Sequence, residues 1–351
     1  MTRTPPVVAK RLTAQLLAGE PARDPVAVAE RLLAIQAQDP RGVRLAIRAR
    51  TVGLSAADVD RALTEERSLL ITTLNRGTLH LVRSEDYPWL QALTTPPLFA
   101  GNARRLAQEG VSQAAAERGI AVVERALEAD GPLTRMQLRE RVRAANVPTD
   151  GQAFVHVLLL ACLRGVAVRG PMIGRQHAWV LVRDWLGEPR AFDRDRALAE
   201  LARRYLAGHG PADERDLAKW AGLPLRDTRS AIAAIAAELD VREDGLVALA
   251  SAAPAAELPP PRLLGSFEPV LMGWTSREPI LGAAEGDIVA GGLFRPFALV
   301  RGRAAATWRF DRGEVVLTPF SGLGRADARA LDADAAEVRR FLADRDLSSP
   351  D

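Results

Sequence analysis

Leu69-Leu70-Ile71-Thr72-Thr73-Leu74, then Asn75-Arg76-Gly77, then Thr78-Leu79-His80-Leu81-Val82 is the stretch that decides the fold. Two apolar runs flank a short turn, and Gly77 supplies the positive φ that such a turn needs. The stretch predicts a β-hairpin. Ahead of it, apolar residues at helical spacing predict helices over 7–18 and from Pro25 towards Gln36, and Ser55 is a good N-cap for a helix over 56–66. Helices closed by a hairpin make a winged helix-turn-helix pattern.

Outward from this stretch the pattern recurs. Helices over 113–129 and 151–164, with a short Thr134-capped one between them, lead to wing strands over 165–169 and 177–182, around Gly170-Pro171-Met172-Ile173-Gly174. A third copy runs through helices over 194–207, 214–221 and 225–239 to a hairpin turning at Asp244-Gly245. Asp130-Gly131-Pro132-Leu133-Thr134 and Gly208-His209-Gly210-Pro211-Ala212 precede the second helix of these two copies. After a proline-rich linker over 252–261 the periodicity shortens to strands over 288–293, 297–301, 305–310 and 314–319, closed by a helix over 327–342. The expected fold is mainly α with β (α+β): three tandem winged helix-turn-helix motifs followed by a small C-terminal β-barrel. The expected segments are 1–93, 94–190, 191–253 and 254–351.

At 351 residues the chain is long for a single core, and 48% hydrophobic with 26% charged residues fits a soluble globular protein. No apolar run reaches membrane-spanning length and no signal-peptide core is found, so a cytoplasmic protein is expected. The single Cys162 excludes an internal disulfide. His80, His156, His177 and His209 are scattered, with no metal-ligand spacing, so neither metal nor cofactor is expected. The net charge of +3 only mildly favours a polyanionic partner. Only Lys10 and Lys219 are lysines among 47 basic residues, which limits any chemistry that needs an amine.

Leu32-Leu33-Ala34-Ile35-Gln36-Ala37-Gln38-Asp39-Pro40 carries the candidate site. Pro40 disfavours helix at Asp39, so Gln36 and Gln38 are expected where a helix gives way to loop. Residues two apart do not share a helix face, so a joint role needs the last turn unwound or a ligand wedged between them. By spacing alone such a pair is more often a capping or solvated helix end than a site.

Gln36-Ala37-Gln38, Arg76-Gly77-Thr78-Leu79-His80-Leu81, Leu264-Gly265-Ser266-Phe267-Glu268-Pro269 with Gly273-Trp274, and Gly302-Arg303 with Thr307-Trp308-Arg309 resemble the winged-helix DNA glycosylases of the AlkZ-like family. The resemblance covers nearly the whole chain in the right order. It implies excision of N7-alkylguanine and unhooking of interstrand crosslinks such as those made by azinomycin, in repair or antibiotic self-resistance. The family's Gln-x-Gln pattern maps catalytic roles onto Gln36 and Gln38; Asp39, a tempting base, lies outside it. Arg76, His80 and Arg295 are the expected DNA contacts. Core packing is expected of His156 and Cys162, and barrel filling of Trp274, Trp308 and Phe310. The implied partner is double-stranded DNA bearing alkylated guanine or crosslinks, met by a monomer. The competing reading is a non-enzymatic winged-helix regulator, which would not need the glutamines.

Overall fold

The computed structural model describes residues 5–173, 176–187 and 192–343, so the expected wing turn at Gly174 lies outside it. The chain is mixed α/β and forms two compact units: Met1–Asp60, Leu198–Trp220 and Pro224–Asp351 make one, and Arg61–Ala197 with Ala221–Leu223 the other.

The second unit holds the deciding hairpin. Leu69–Leu74 pairs antiparallel with Thr78–Arg83, in register from Leu69 opposite Arg83 to Leu74 opposite Thr78. Gly77 takes a φ of 76° as expected, and Arg76 beside it is also left-handed at 58°. A second hairpin, Ala167–Ile173 with Gln176–Leu181, is stitched to the first where Ile71 faces Arg169. Two hairpins that read as separate wings thus share one sheet. Helices surround it. Ser112 caps Gln113–Asp130, which stops at Gly131 (φ 72°). Thr134 and Gln137 form a capping box on Arg135–Ala144. Helices Tyr87–Thr94 and Phe99–Gln108 lie between the deciding hairpin and Ser112. Phe154, Val157, Leu158 and Ala161 sit in the core with Ile120, Val123, Leu138 and Val142. Cys162 is buried, and burial pushes its thiol up to about 12. His156 is half-buried, with Nδ1 3.2 Å from Asn102 Oδ1.

In the first unit the Gly208–Pro211 phrase is a packing device. A Cβ at Gly208 would lie 2.2 Å from the Arg31 carbonyl oxygen, so only glycine allows that approach. His209 stacks on Tyr205 at 4.8 Å, and its carbonyl accepts from Trp274 Nε1 at 2.9 Å. The C-terminal strands correct an expectation. They form an antiparallel sheet ordered Glu314–Pro319, Arg303–Asp311, Phe297–Val300, Arg262–Leu264, and this sheet is open rather than closed into a barrel. A barrel needs its edge strands to pair. Here the Leu263 amide at one edge donates instead to Asp334 of the helix Arg325–Leu342, at 2.7 Å. Trp308 is buried, donates to the Leu264 carbonyl at 2.8 Å and meets half-buried Phe310 edge-on at 5.4 Å. Trp274 is buried too. No helix among the described residues is long and apolar enough to cross a membrane.

Candidate active site

The helix leading to the glutamines begins as expected, with Asp24 accepting from the Ala27 amide at 2.7 Å and Pro25 at its first position. It ends early, at Leu32. Leu33 has φ 64° and ψ −48°, and the Ala34 amide donates to the Leu32 carbonyl at 2.7 Å. That is the left-handed γ-turn, an uncommon and strained form. A non-glycine residue held there costs about 1–3 kcal/mol, and such strain clusters at functional segments. The chain then runs extended through Ile35–Gln36. The glutamines therefore do not close a helix, which corrects the expected placement. The extended run stops at Gln36, and Gln38 lies in a bend ahead of the next helix, so spacing alone does not put the two side chains on one side. Gln36 is 7% exposed, whereas Gln38 is exposed. The Gln38 amide makes no hydrogen bond to the protein among the described residues.

Asp39 is spent on structure. Its carboxylate accepts from the Arg41 amide at 2.8 Å and its carbonyl from the Val43 amide at 3.0 Å, so it caps a helix, Pro40–Arg48. That helix fixes the end of the glutamine segment. Arg44 reaches Asp60 through Nε at 3.0 Å and the Pro40 carbonyl at 2.7 Å. Arg48 grips both oxygens of Asp334, at 2.6 and 2.8 Å. Burial pulls the Arg48 guanidinium down and the Asp334 carboxyl up, each against the pull of its partner. Just beyond, Arg50 and Glu268 meet at 2.5 Å, both wholly buried, and Arg50 also holds the Gln15 amide oxygen at 2.9 Å. The opposite wall is the Leu264–Pro269 phrase. A Cβ at Gly42 would lie 2.4 Å from the Ser266 carbonyl oxygen, and one at Gly265 only 3.1 Å from Gly42 Cα. Arg41 lies over the Phe310 ring at 5.0 Å.

Arg295, exposed, is in the same unit as the glutamines. It follows the small hairpin Val289–Ala290 with Leu293–Phe294, and one guanidinium nitrogen reaches the Asp287 carbonyl at 3.3 Å. Phe294 packs on Phe267 at 5.6 Å, which ties this hairpin to the phrase that touches Gly42. Arg76 and His80 belong to the other unit. Arg76 is half-buried at the hairpin tip, where a Cβ on Gly222 would lie 2.8 Å from its amide nitrogen. His80 is 1% exposed, with Nδ1 3.0 Å from the Thr78 carbonyl. Burial, then the neighbouring Arg76 charge, pulls its pKa down to about 3, so its ring is neutral at physiological pH.

Sequence reasoning missed the helix Pro40–Arg48 and its anchors Gly42, Arg44, Arg48 and Arg50. The available signal was Asp39-Pro40 itself: a capping residue before a first-turn proline starts a helix as surely as a proline ends one. Chemically, an exposed amide beside a buried one, on strained chain clamped at its far end, offers a carbonyl to orient water and an NH₂ to donate, with no titrating group. No cluster of three or more His, Cys, Asp or Glu residues that could hold a metal ion is found among the described residues.

Comparison with known proteins bears on this arrangement. The chain is 28% identical to the interstrand DNA cross-link repair glycosylase of Streptomyces sahachiroi, over 95% of each chain. The solved structure of the Streptomyces sahachiroi DNA glycosylase AlkZ superposes with a TM-score of 0.78 over 96% of both chains, at 25% identity. Residues 29–341, from the helix before the strained turn to the end of the helix that bears Asp334, match the family model described as DNA glycosylase AlkZ-like, and the chain belongs to that family.

Proposed function

We propose that this protein is a monofunctional DNA glycosylase that hydrolyses the N-glycosidic bond of cationic N7-alkylguanine in duplex DNA. Interstrand crosslinks built at that position are included, in repair or in self-resistance to a genotoxin. The observation that carries this reading is the exposed, unbonded Gln38 amide next to buried Gln36 on a strained segment. An amide is too weak a base to drive out a poor leaving group. N7-alkylguanine needs little help: it is already positively charged and departs as a neutral base, taking the C1′–N9 bonding pair and leaving an oxocarbenium-like sugar. Gln38 orients the water that adds to C1′, whose proton passes to solvent, and Gln36 holds the geometry. The product is an intact abasic site. A lyase would need an amine, and Lys219 Nζ already donates to the Thr275 carbonyl at 2.9 Å.

We read the three helix–hairpin segments as winged helices that carry the duplex, and the protein as a monomer. Arg76 and Arg295 are our phosphate contacts; His80, 1% exposed and held at the Thr78 carbonyl, has no surface to offer a duplex and braces the hairpin instead. The printed role of the Streptomyces sahachiroi relative in cross-link repair supports the substrate class.

Single-turnover excision from duplex DNA carrying N7-methylguanine tests this. Gln38→Ala and Gln36→Ala should each slow release about a hundredfold, or about 3 kcal/mol of barrier, with duplex affinity little changed. Uracil and 8-oxoguanine, both uncharged, should stay in place. Full activity in the double variant would remove the pair from the mechanism.

A further inference from the structure

In a DNA-reading winged helix the third helix enters the major groove. The second module cannot work that way. Its third helix, Ala153–Leu163, buries Ala153, Phe154, Val157, Leu158 and Leu160 to Leu163, so no face is left for a groove. The exposed element is the helix before it. Arg135–Ala144 buries only Leu138 and Val142. Arg135, Arg139 and Arg143 recur every fourth residue, which lines them along one face for roughly 12 Å.

These arginines are poorly neutralised. Arg139 has only the solvated Asp150 at 3.4 Å and the Thr149 carbonyl at 3.1 Å. Arg135 and Arg143 have no hydrogen bond or ion pair among the described residues. The adjoining hairpin adds another cation. Trp179 exchanges two backbone hydrogen bonds with Leu133, at 2.7 and 3.1 Å, which fixes that strand to the start of the helix. Arg169 lies 5.8 Å from the Trp179 ring centre, and its Nε is buried without a partner. Burial lowers the Arg169 pKa, Cys162 opposes that, and Arg135 is near enough to lower it further. Like charges gathered with only the solvated Asp150 paired to them raise the energy of the free protein, and a polyanion relieves it. The third hairpin makes the contrast: Asp240, Glu243 and Asp244 surround Arg242, which Asp244 pairs at 2.9 Å.

We propose that the second module docks duplex DNA through its second helix and hairpin, with Arg135, Arg143 and Arg169 on backbone phosphates, and that the third hairpin makes no such contact. The proposal rests on the reading that duplex DNA is the substrate. Guanidinium-to-phosphate contacts carry no base information, so this surface is sequence-tolerant.

The test is affinity for an undamaged duplex across a salt series. Removing Arg135 and Arg143 together by alanine should lower the slope of log K against log salt by about one per guanidinium and weaken binding alike on unrelated sequences. Lysine at both positions should restore most of it, and Arg242→Ala should change nothing. Both side chains are exposed, so the variants should melt with the wild type. A wild type that binds duplex with an unchanged double-alanine variant overturns this proposal alone; a wild type with no duplex affinity overturns the glycosylase reading with it. Arginine-dependent binding to phosphatidylglycerol vesicles with none to duplex would also overturn it.

Discussion

Two arginine-rich helices of nearly equal length, Pro40–Arg48 and Arg135–Ala144, use the same residue in opposite ways. In the first, Arg44 and Arg48 are buried against carboxylates and their charge is consumed in holding the glutamine segment. In the second, the arginines face water and two of them have no partner among the described residues. Arginine count is therefore no guide to nucleic-acid binding. What decides is whether a carboxylate meets the guanidinium where water does not.

The contrast can be broken most sharply at its buried end. Arg50→Ala would leave Glu268 as an uncompensated charge in a fully buried site. We expect a loss of about 3–5 kcal/mol in urea unfolding. A loss below 1 kcal/mol would mean that solvent reaches the pair and that burial is not what distinguishes the two helices.

His80 extends the principle to a titrating cation. Its folded pKa of about 3 lies below the unfolded value of 6.5, so the unfolded chain binds more protons between those limits. Stability is then fully present above pH 6.5 and falls as the pH drops towards 3. Between pH 6.5 and pH 5 the loss should be about 2 kcal/mol. His80→Asn, which cannot titrate, should flatten that slope. Identical slopes for the two proteins would show that the ring is charged in the folded state.

Next comes the seating of the first helix. Gly42→Ala places a methyl group against the Ser266 carbonyl, where the backbone must shift. Overpacking of this kind costs about 1–3 kcal/mol. Because Gly42 lies in the first turn after Asp39, excision should fall even where the fold survives. An alanine variant with wild-type Tm and wild-type excision would show that this contact does not position Gln38.

Local sequence made some of this legible. The deciding hairpin was readable because the apolar runs and Gly77 are both properties of adjacent residues. Helix Pro40–Arg48 was announced only by Asp39-Pro40, and its anchoring was not readable, because Arg44 and Arg48 look like solvated residues until Asp60 and Asp334 arrive, the latter 286 residues away. The barrel expectation failed for the same reason: Asp334 takes the edge amide of Leu263, and no strand pattern announces that. At the site, the glutamines stood out by residue type and by family resemblance. The turn that ends the helix before them hangs on the φ of Leu33, a residue with no glycine-like signature.

The smallest expected effect comes from two arginine–aspartate pairs that differ chiefly in burial. Arg48–Asp334 and Arg141–Asp130 are both arginine–aspartate pairs, at 2.6 and 2.7 Å, but side-chain exposure is 7% and 16% in the first and 36% and 45% in the second. The shortest contacts are alike and the solvent is not, and Arg48 also takes the second carboxylate oxygen while Arg141 takes one. In water-exposed surroundings the Coulomb gain is screened and the cost of ordering two side chains offsets much of it. A double-mutant cycle on Arg141 and Asp130 should therefore return a coupling of about 0.5 kcal/mol or less, shrinking further in 0.5 M salt. The same cycle on Arg48 and Asp334 should give several-fold more and barely respond to salt, because ions do not enter the site. Equal couplings would mean that distance alone sets the strength of these pairs, and the distinction between spent and unspent arginines would fail with it.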